Sequence, residues 1–284
     1  MTTPFQQQFV ELAAERSALC VGIDASAETL RDWGLADDAA GLRAFCERMV
    51  EACASRVAVV KPQAAFFERH GPDGMTILRD TVAAARSHGA LTIIDAKRGD
   101  IASTAGAYGE AFLGPDSPFG GDAMTLHPYL GFGSLAPILD IACRTAAGIF
   151  VVVRSSNPQA GTVQQALMAD GRSVAEGLAD DIAAYNGFAC GDGLGPIGAV
   201  VGATLDREAA TLAARLPNAL MLVPGIGAQG ATVADVRRDF AQHYARVIPS
   251  VSRAITRAGP DAQNLKRQVE RYSAEVRGDQ AARR

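Results

Sequence analysis

The chain has 284 residues, 48% of them hydrophobic and 20% charged, a size that holds one α/β barrel or two smaller domains. Its net charge of −4 and the scatter of its 27 Lys and Arg side chains exclude the basic face that a nucleic-acid partner requires. Aromatics at only 6%, beside 29 glycines, argue for tight turns and close helix-on-sheet packing and against an aromatic-rich β-sandwich.

In chain order, the opening MTTPFQQQFVELAAERS has no basic stretch followed by an apolar run, so no signal peptide is expected. Apolar runs then recur at 18–24, 57–63, 91–97, 123–129, 148–156, 197–204, 219–227 and 246–254. Several are continuously apolar, the pattern of parallel strands covered on both faces. After the first run, 40–55 carries Leu42, Phe45, Met49 and Cys53 at helical spacing. After the second, 74–89 has the same character and ends on a glycine suited to a helix C-cap. The segment 157–196 is longer than a simple connection and predicts a helix at 173–186 plus an insertion or loop near the mouth. Residues 260–284 read as a C-terminal helix with a frayed end, its arginines interleaved with acids as on a solvated face.

Eight strands alternating with helices predict an α/β fold, a (β/α)₈ TIM barrel forming a single domain over 1–284. A doubly wound open sheet gives the same local pattern, but no GxGxxG follows the first strand. No run is long enough to cross a membrane, so no membrane partner and a cytoplasmic location are expected. Cys20, Cys46, Cys53, Cys143 and Cys190 are odd in number and scattered, which suggests neither a disulfide framework nor a zinc site.

In such a barrel, chemistry gathers where strands end. Those ends carry Asp24, Lys61, Asp95 with Lys97, His127, Ser155 with Ser156, and Arg253. The lysines sharpen the signal. Only Lys61, Lys97 and Lys266 occur among the 27 basic residues, so arginine serves as the generic surface cation. Two of those three lysines nevertheless fall at the ends of apolar strands, where an unpaired ammonium is costly. Asp95 and Lys97, two apart, project to one face of their strand, and Asp100 follows three residues later. That spacing predicts a cation between two carboxylates, which favour the ammonium form and so a proton donor over a Schiff-base nucleophile. A functionless ion-pair network is the alternative, but strand 91–97 is too apolar to be an exposed one.

The glycine-rich VPGIGAQG (223–230) and, one strand later, SVSRA (250–254) occupy the positions where barrels hold a phosphate. Gln229 and Arg253 are the side-chain candidates, arginine because its planar fork suits phosphate oxygens. The four histidines are scattered and assemble no metal site, and His127 reads as a packing or hydrogen-bonding residue.

At these residues the chain resembles orotidine 5′-phosphate decarboxylases, in particular the longer bacterial branch. The resemblance is carried by IIDAKRGDIASTAGAY (93–108), with support from GIDAS (22–26), VVKPQAAFFE (59–68), RSSNP (154–158), VPGIGAQG and VSRAI (251–255). It implies conversion of orotidine 5′-phosphate to UMP and carbon dioxide, the last step of de novo pyrimidine nucleotide synthesis, with no cofactor and no metal. It further implies a charged tetrad of Lys61, Asp95, Lys97 and Asp100, with Lys97 protonating C6. Asp24 would hold the ribose, Ser156 the pyrimidine edge, and Gln229 and Arg253 the phosphate. A homodimer would follow, with Asp100, Ile101 and Thr104 reaching into the neighbouring subunit's site. Gln159 and Gln164 are lid candidates, and Ala102 and Ala231 stand where glycine would be expected.

Two other readings remain open on sequence. One is a metal-dependent sugar-phosphate decarboxylase or aldolase-type lyase of the same barrel group, whose members resemble the Asp-x-Lys-x-x-Asp pattern but carry an acid in place of Lys61. The other is a phosphate-ligand binding barrel without catalysis, which would be expected to lack part of the tetrad.

Overall fold

A computed structural model describes residues 3–278. Eight parallel strands close into a barrel in sequence order. They are β1 (Cys20–Ile23), β2 (Val59–Pro62), β3 (Leu91–Arg98), β4 (Ala123–Leu126), β5 (Gly148–Arg154), β6 (Ile197–Val201), β7 (Met221–Pro224) and β8 (Val247–Val251). Closure rests on β1 pairing with β8, Cys20 opposite Ser250 and Val21 opposite Val251, which removes the open-sheet alternative. Each strand is shorter than its apolar run by up to five residues, except β3. The surplus at the C-terminal ends turns out of the ladder and builds the mouth.

Outward strand positions such as Val21, Val60, Ile94, Met124, Val151 and Val223 pack under the surrounding helices in one core cluster. Inward positions change character along the strand. Val59, Leu91, Ile93, Ala123, Phe150, Leu222 and Ile248 fill the barrel's lower interior. One step further up, the inward residues are Lys61, Asp95, Thr125 and Ser250, all buried. Period-two alternation therefore stacks an apolar plug beneath a polar floor. The N-terminal helix Phe5–Glu15 closes the bottom, with Phe5 and Phe9 buried in the interior cluster. Phe5 meets Phe150 edge-on at 5.8 Å. Burying two such rings contributes on the order of 1.5–3 kcal/mol each.

The helix expected at 40–55 spans Ala39–Cys53, N-capped by Asp38 through Gly41 N–H at 2.9 Å. The one expected at 74–89 begins earlier, at Gly71, because Pro72 occupies the first turn where its missing N–H costs nothing. In 157–196 the helix runs Val174–Cys190, four residues beyond the expected end, and starts at a reciprocal Ser173–Glu176 capping box. Ahead of it lie two single-turn helices, Pro158–Ala160 and Gly161–Gln164. The terminal helix is Ala262–Arg277. The frayed end expected beyond it falls on 279–284, outside the described residues. Among the described residues no helix is long and apolar enough to cross a membrane.

Candidate active site

A cavity of about 240 Å³ opens at the C-terminal mouth of the barrel, with Asp24, Lys61, Asp95, Lys97, Gln229 and Arg253 in its wall. Five residues predicted from strand ends thus meet in one place with Gln229 of the glycine-rich loop.

Asp95 is the hub. Its Oδ2 accepts from Lys61 Nζ at 2.7 Å and from Gln63 Nε2 at 3.3 Å. Its Oδ1 accepts from Lys97 Nζ at 2.5 Å and from Thr125 Oγ1 at 2.8 Å. Lys61 and Asp95 are only 5% and 6% exposed. Burial opposes the charge on Lys61, but the Asp95 and Asp24 carboxylates outweigh it and hold the ammonium above its ordinary range. Burial likewise opposes charge on Asp95, and the Lys61 and Lys97 cations overcome it, keeping the carboxyl well below the usual range. The side chain of Lys97 is 46% exposed, so it faces both the hub and the open cavity.

The charge order within one chain is the reverse of the expectation from spacing. A carboxylate lies between two cations, rather than a cation between two carboxylates. The cause is backbone geometry. Lys97 has φ +45°, in the left-handed region, and the chain then turns out of the barrel through Gly99. Asp100 consequently caps its own loop, Oδ1 accepting from Ile101 N–H at 2.8 Å, and is absent from the cavity wall. Ile101 and Thr104 are exposed on the rim. Ala102, where glycine was expected, has φ +47°, a conformation that strains a residue carrying Cβ. Ala231 shows no such strain and is buried.

Arg98, next to the hub, turns away from the cavity. It pairs with Glu68 and lies over the Tyr108 and Phe112 rings at 5.6 and 5.8 Å. His127 is also outside the wall, and its backbone N–H donates to Arg98 O at 2.9 Å. Ser156 Oγ donates to Gln229 Oε1, joining the β5 and β7 loops across the mouth. The two lid candidates do not line the cavity: Gln164 Oε1 accepts from Ser155 N–H at 2.9 Å, and Gln159 Oε1 accepts from Asn157 at 3.3 Å. In the glycine-rich loop Gly225, Gly227 and Gly230 all have positive φ, and a Cβ on Gly227 would lie 2.7 Å from Ala254 Cβ. That loop and the residues after β8 can pack together only with glycine there.

Four polar wall residues escaped the strand-end reading: Gln63, Thr125, Ser250 and Ser252. All are small or neutral. The available signal was their inward register, two residues beyond Lys61, Ala123, Ile248 and Ser250 respectively. Ser252 Oγ and Asp24 Oδ1 are both buried without a hydrogen-bond partner. Both also lie close to the space beside Gly22, at 3.1 and 3.5 Å from where its Cβ would be. Buried polar atoms left open in a cavity wall are suited to a ligand hydroxyl that donates to one and accepts from the other.

Residues 17–268 match the model of the orotidine 5′-phosphate decarboxylase / HUMPS family. The chain belongs to that family. The orotidine 5′-phosphate decarboxylase of Myxococcus xanthus is 48% identical over 286 residues, covering 100% of this chain and 99% of its own length. That of Streptomyces coelicolor is 50% identical over 275 residues, covering 96% and 97%. A crystal structure from Streptomyces avermitilis superposes with a TM-score of 0.92 at 47% identity, covering 99% of this chain and 97% of that one. Family membership and barrel closure thus agree with the resemblance read from the strand ends. Among the described residues no group of three or more His, Cys, Asp or Glu is placed to hold a metal ion.

Proposed function

We propose that the protein converts orotidine 5′-phosphate to UMP and carbon dioxide, drawing on its own side chains alone. The observation that carries this reading is the Lys61–Asp95–Lys97 array on the floor of the barrel mouth, in a chain so closely related to orotidine 5′-phosphate decarboxylases. Breaking the bond between C6 and the carboxylate leaves an electron pair in the ring plane, where the π system cannot delocalise it. The Lys97 ammonium stabilises that pair electrostatically, then transfers a proton to C6 and becomes a neutral amine, which solvent re-protonates. Its half-exposed position suits both tasks. Asp95, held ionised by its donors, faces the departing carboxylate. Asp24 and Ser252 receive a ribose hydroxyl, Ser156 the pyrimidine edge, and Gln229 with Arg253 the phosphate. Binding the phosphate far from C6 supplies energy that can be expressed in the transition state.

The metal-dependent lyase reading needs an acid where Lys61 stands, and Lys61 is an ammonium already committed to Asp95 at 2.7 Å. The purely binding reading is disfavoured because Lys61, Asp95 and Lys97 are in place and bonded together.

The working unit in this proposal is a homodimer. Asp100, Ile101 and Thr104 turn away from their own cavity on a rim where Ile101 is 58% and, on the adjoining loop, Tyr129 is 78% exposed. A two-fold axis there would offer Asp100 to the partner's Lys97, completing the tetrad and the cation between two carboxylates. The five unpaired cysteines fit a reducing compartment, the cytoplasm.

The test is loss of the absorbance of orotidine 5′-phosphate on adding chelator-treated protein. Conversion to UMP supports the proposal. Inactivity until a divalent metal and a sugar phosphate are supplied would overturn it. Mixing inactive Lys97→Ala and Asp100→Asn chains tests the shared site, because random exchange restores about one quarter of wild-type activity if each site draws on both subunits.

A further inference from the structure

We infer that Thr125, a buried β4 residue outside the charged array, is a positioning residue that fixes the Asp95 carboxylate and the Lys97 backbone in one register; this rests on the decarboxylase reading proposed above. Thr125 is 1% exposed and reaches the cavity wall from the strand beside β3. Its hydroxyl makes two bonds of opposite sense: Oγ1 accepts from Lys97 N–H at 3.0 Å and donates to Asp95 Oδ1 at 2.8 Å. Because a hydroxyl carries a single proton, accepting from the lysine backbone leaves that proton for the carboxylate. One side chain therefore anchors both partners of the reaction.

Each bond answers a specific need. Lys97 is held at φ +45°, a conformation a side-chain-bearing residue keeps only where its surroundings enforce it. The Thr125 acceptor is the partner of that residue's N–H. At the carboxylate, Oδ1 is shared between Thr125 and Lys97, and Lys97 is the group that loses its proton in the reaction. When Lys97 becomes neutral, Thr125 still donates to the same oxygen, because a hydroxyl does not titrate. The titratable groups facing Asp95 are Lys61 from β2, Lys97 from its own strand and Cys20 from β1, while Asp24, just past the end of β1, faces Lys61. Gln63 is the second neutral donor, on the other oxygen.

The experiment compares Thr125→Val, which keeps the shape and removes the hydroxyl, with Thr125→Ser, which restores it. For Val we expect kcat to fall about 10- to 100-fold, the loss of a hydrogen bond to a charged group, with KM changed by less than about 3-fold. The Asp95 carboxyl titration should move upward, since Asp95 loses a bond that favours its ionised form. Ser should recover kcat to within about 3-fold of wild type and return that titration. Carboxyl NMR titration of Asp95 in the substrate-free protein gives the same comparison without turnover, so it stands even if wild type proves not to decarboxylate this nucleotide. If Val does not fold, Thr125→Ala against Thr125→Ser carries the test. Wild-type kcat with an unmoved Asp95 titration in the hydroxyl-free variant would overturn the inference, as would a Ser variant no better than it.

Discussion

Removing Asp95 should expose how strongly the hub holds the barrel together. In Asp95→Ala, Lys61 stays buried with its 2.7 Å counter-ion gone, both side chains having been only 7% exposed. Breaking a buried ion pair on one side costs about 3–5 kcal/mol. Asp24 still faces Lys61, so the lower end, about 3 kcal/mol, is expected. For a chain of this size that corresponds to a fall in Tm of roughly 6–12 °C. The pH dependence gives the sharper test. In wild type the Lys61 ammonium is held above its ordinary range, so its contribution is complete below the unfolded lysine value, about 10.4, and lost as pH rises further. In the variant burial dominates and depresses the folded value. Between the two values the folded state then binds fewer protons than the unfolded state, and stability rises with pH. Urea unfolding from pH 7 to pH 10 should therefore show the deficit shrinking. A loss below about 1 kcal/mol, or a deficit constant across that range, would refute the reasoning.

Ala102→Gly should raise stability by about 1 kcal/mol in urea unfolding by relieving the φ of +47°; an unchanged or lower midpoint would count against that strain. Burial pushes the thiols of Cys20, Cys46 and Cys53 up to about 12, whereas Cys143 and Cys190 are exposed. Thiol titration at pH 8 should accordingly find two of the five cysteines reactive in folded protein and all five after denaturation. Arg253→Ala should raise KM for orotidine 5′-phosphate about 10- to 100-fold while barely altering turnover of orotidine, which lacks the phosphate; an equal effect on both would remove Arg253 from the phosphate grip.

The local elements were legible because apolar runs and helical spacing are local signals. Barrel closure was legible only indirectly, from the count of eight strand–helix repeats and the missing GxGxxG, since the pairing that closes it, Cys20 with Ser250, spans more than two hundred residues and leaves no local signal. The charged floor was readable because lysine is so rare here that Lys61 and Lys97 stood out at strand ends. Thr125 and Ser252 carried no such contrast: a threonine and a serine near apolar strands are unremarkable until register shows them facing inward. That Asp100 leaves its own chain's cavity was hidden from strand spacing for a different reason. Spacing along a strand says which face a side chain takes only while the pleat stays regular, and the left-handed φ at Lys97, with the register shift between Ile94 and Arg98, breaks that regularity. The lid stayed unread because the glutamines of 157–168 can bond to their own loop as readily as to a ligand, and here Gln164 does so.

The most direct test of the account is single-turnover decarboxylation by Lys97→Ala, with UMP affinity measured separately by calorimetry. Loss of the proton donor and its charge should slow the chemical step by at least about 10³-fold while UMP binding stays within about 10-fold of wild type. A variant that decarboxylates orotidine 5′-phosphate near the wild-type rate would contradict the central role given to Lys97.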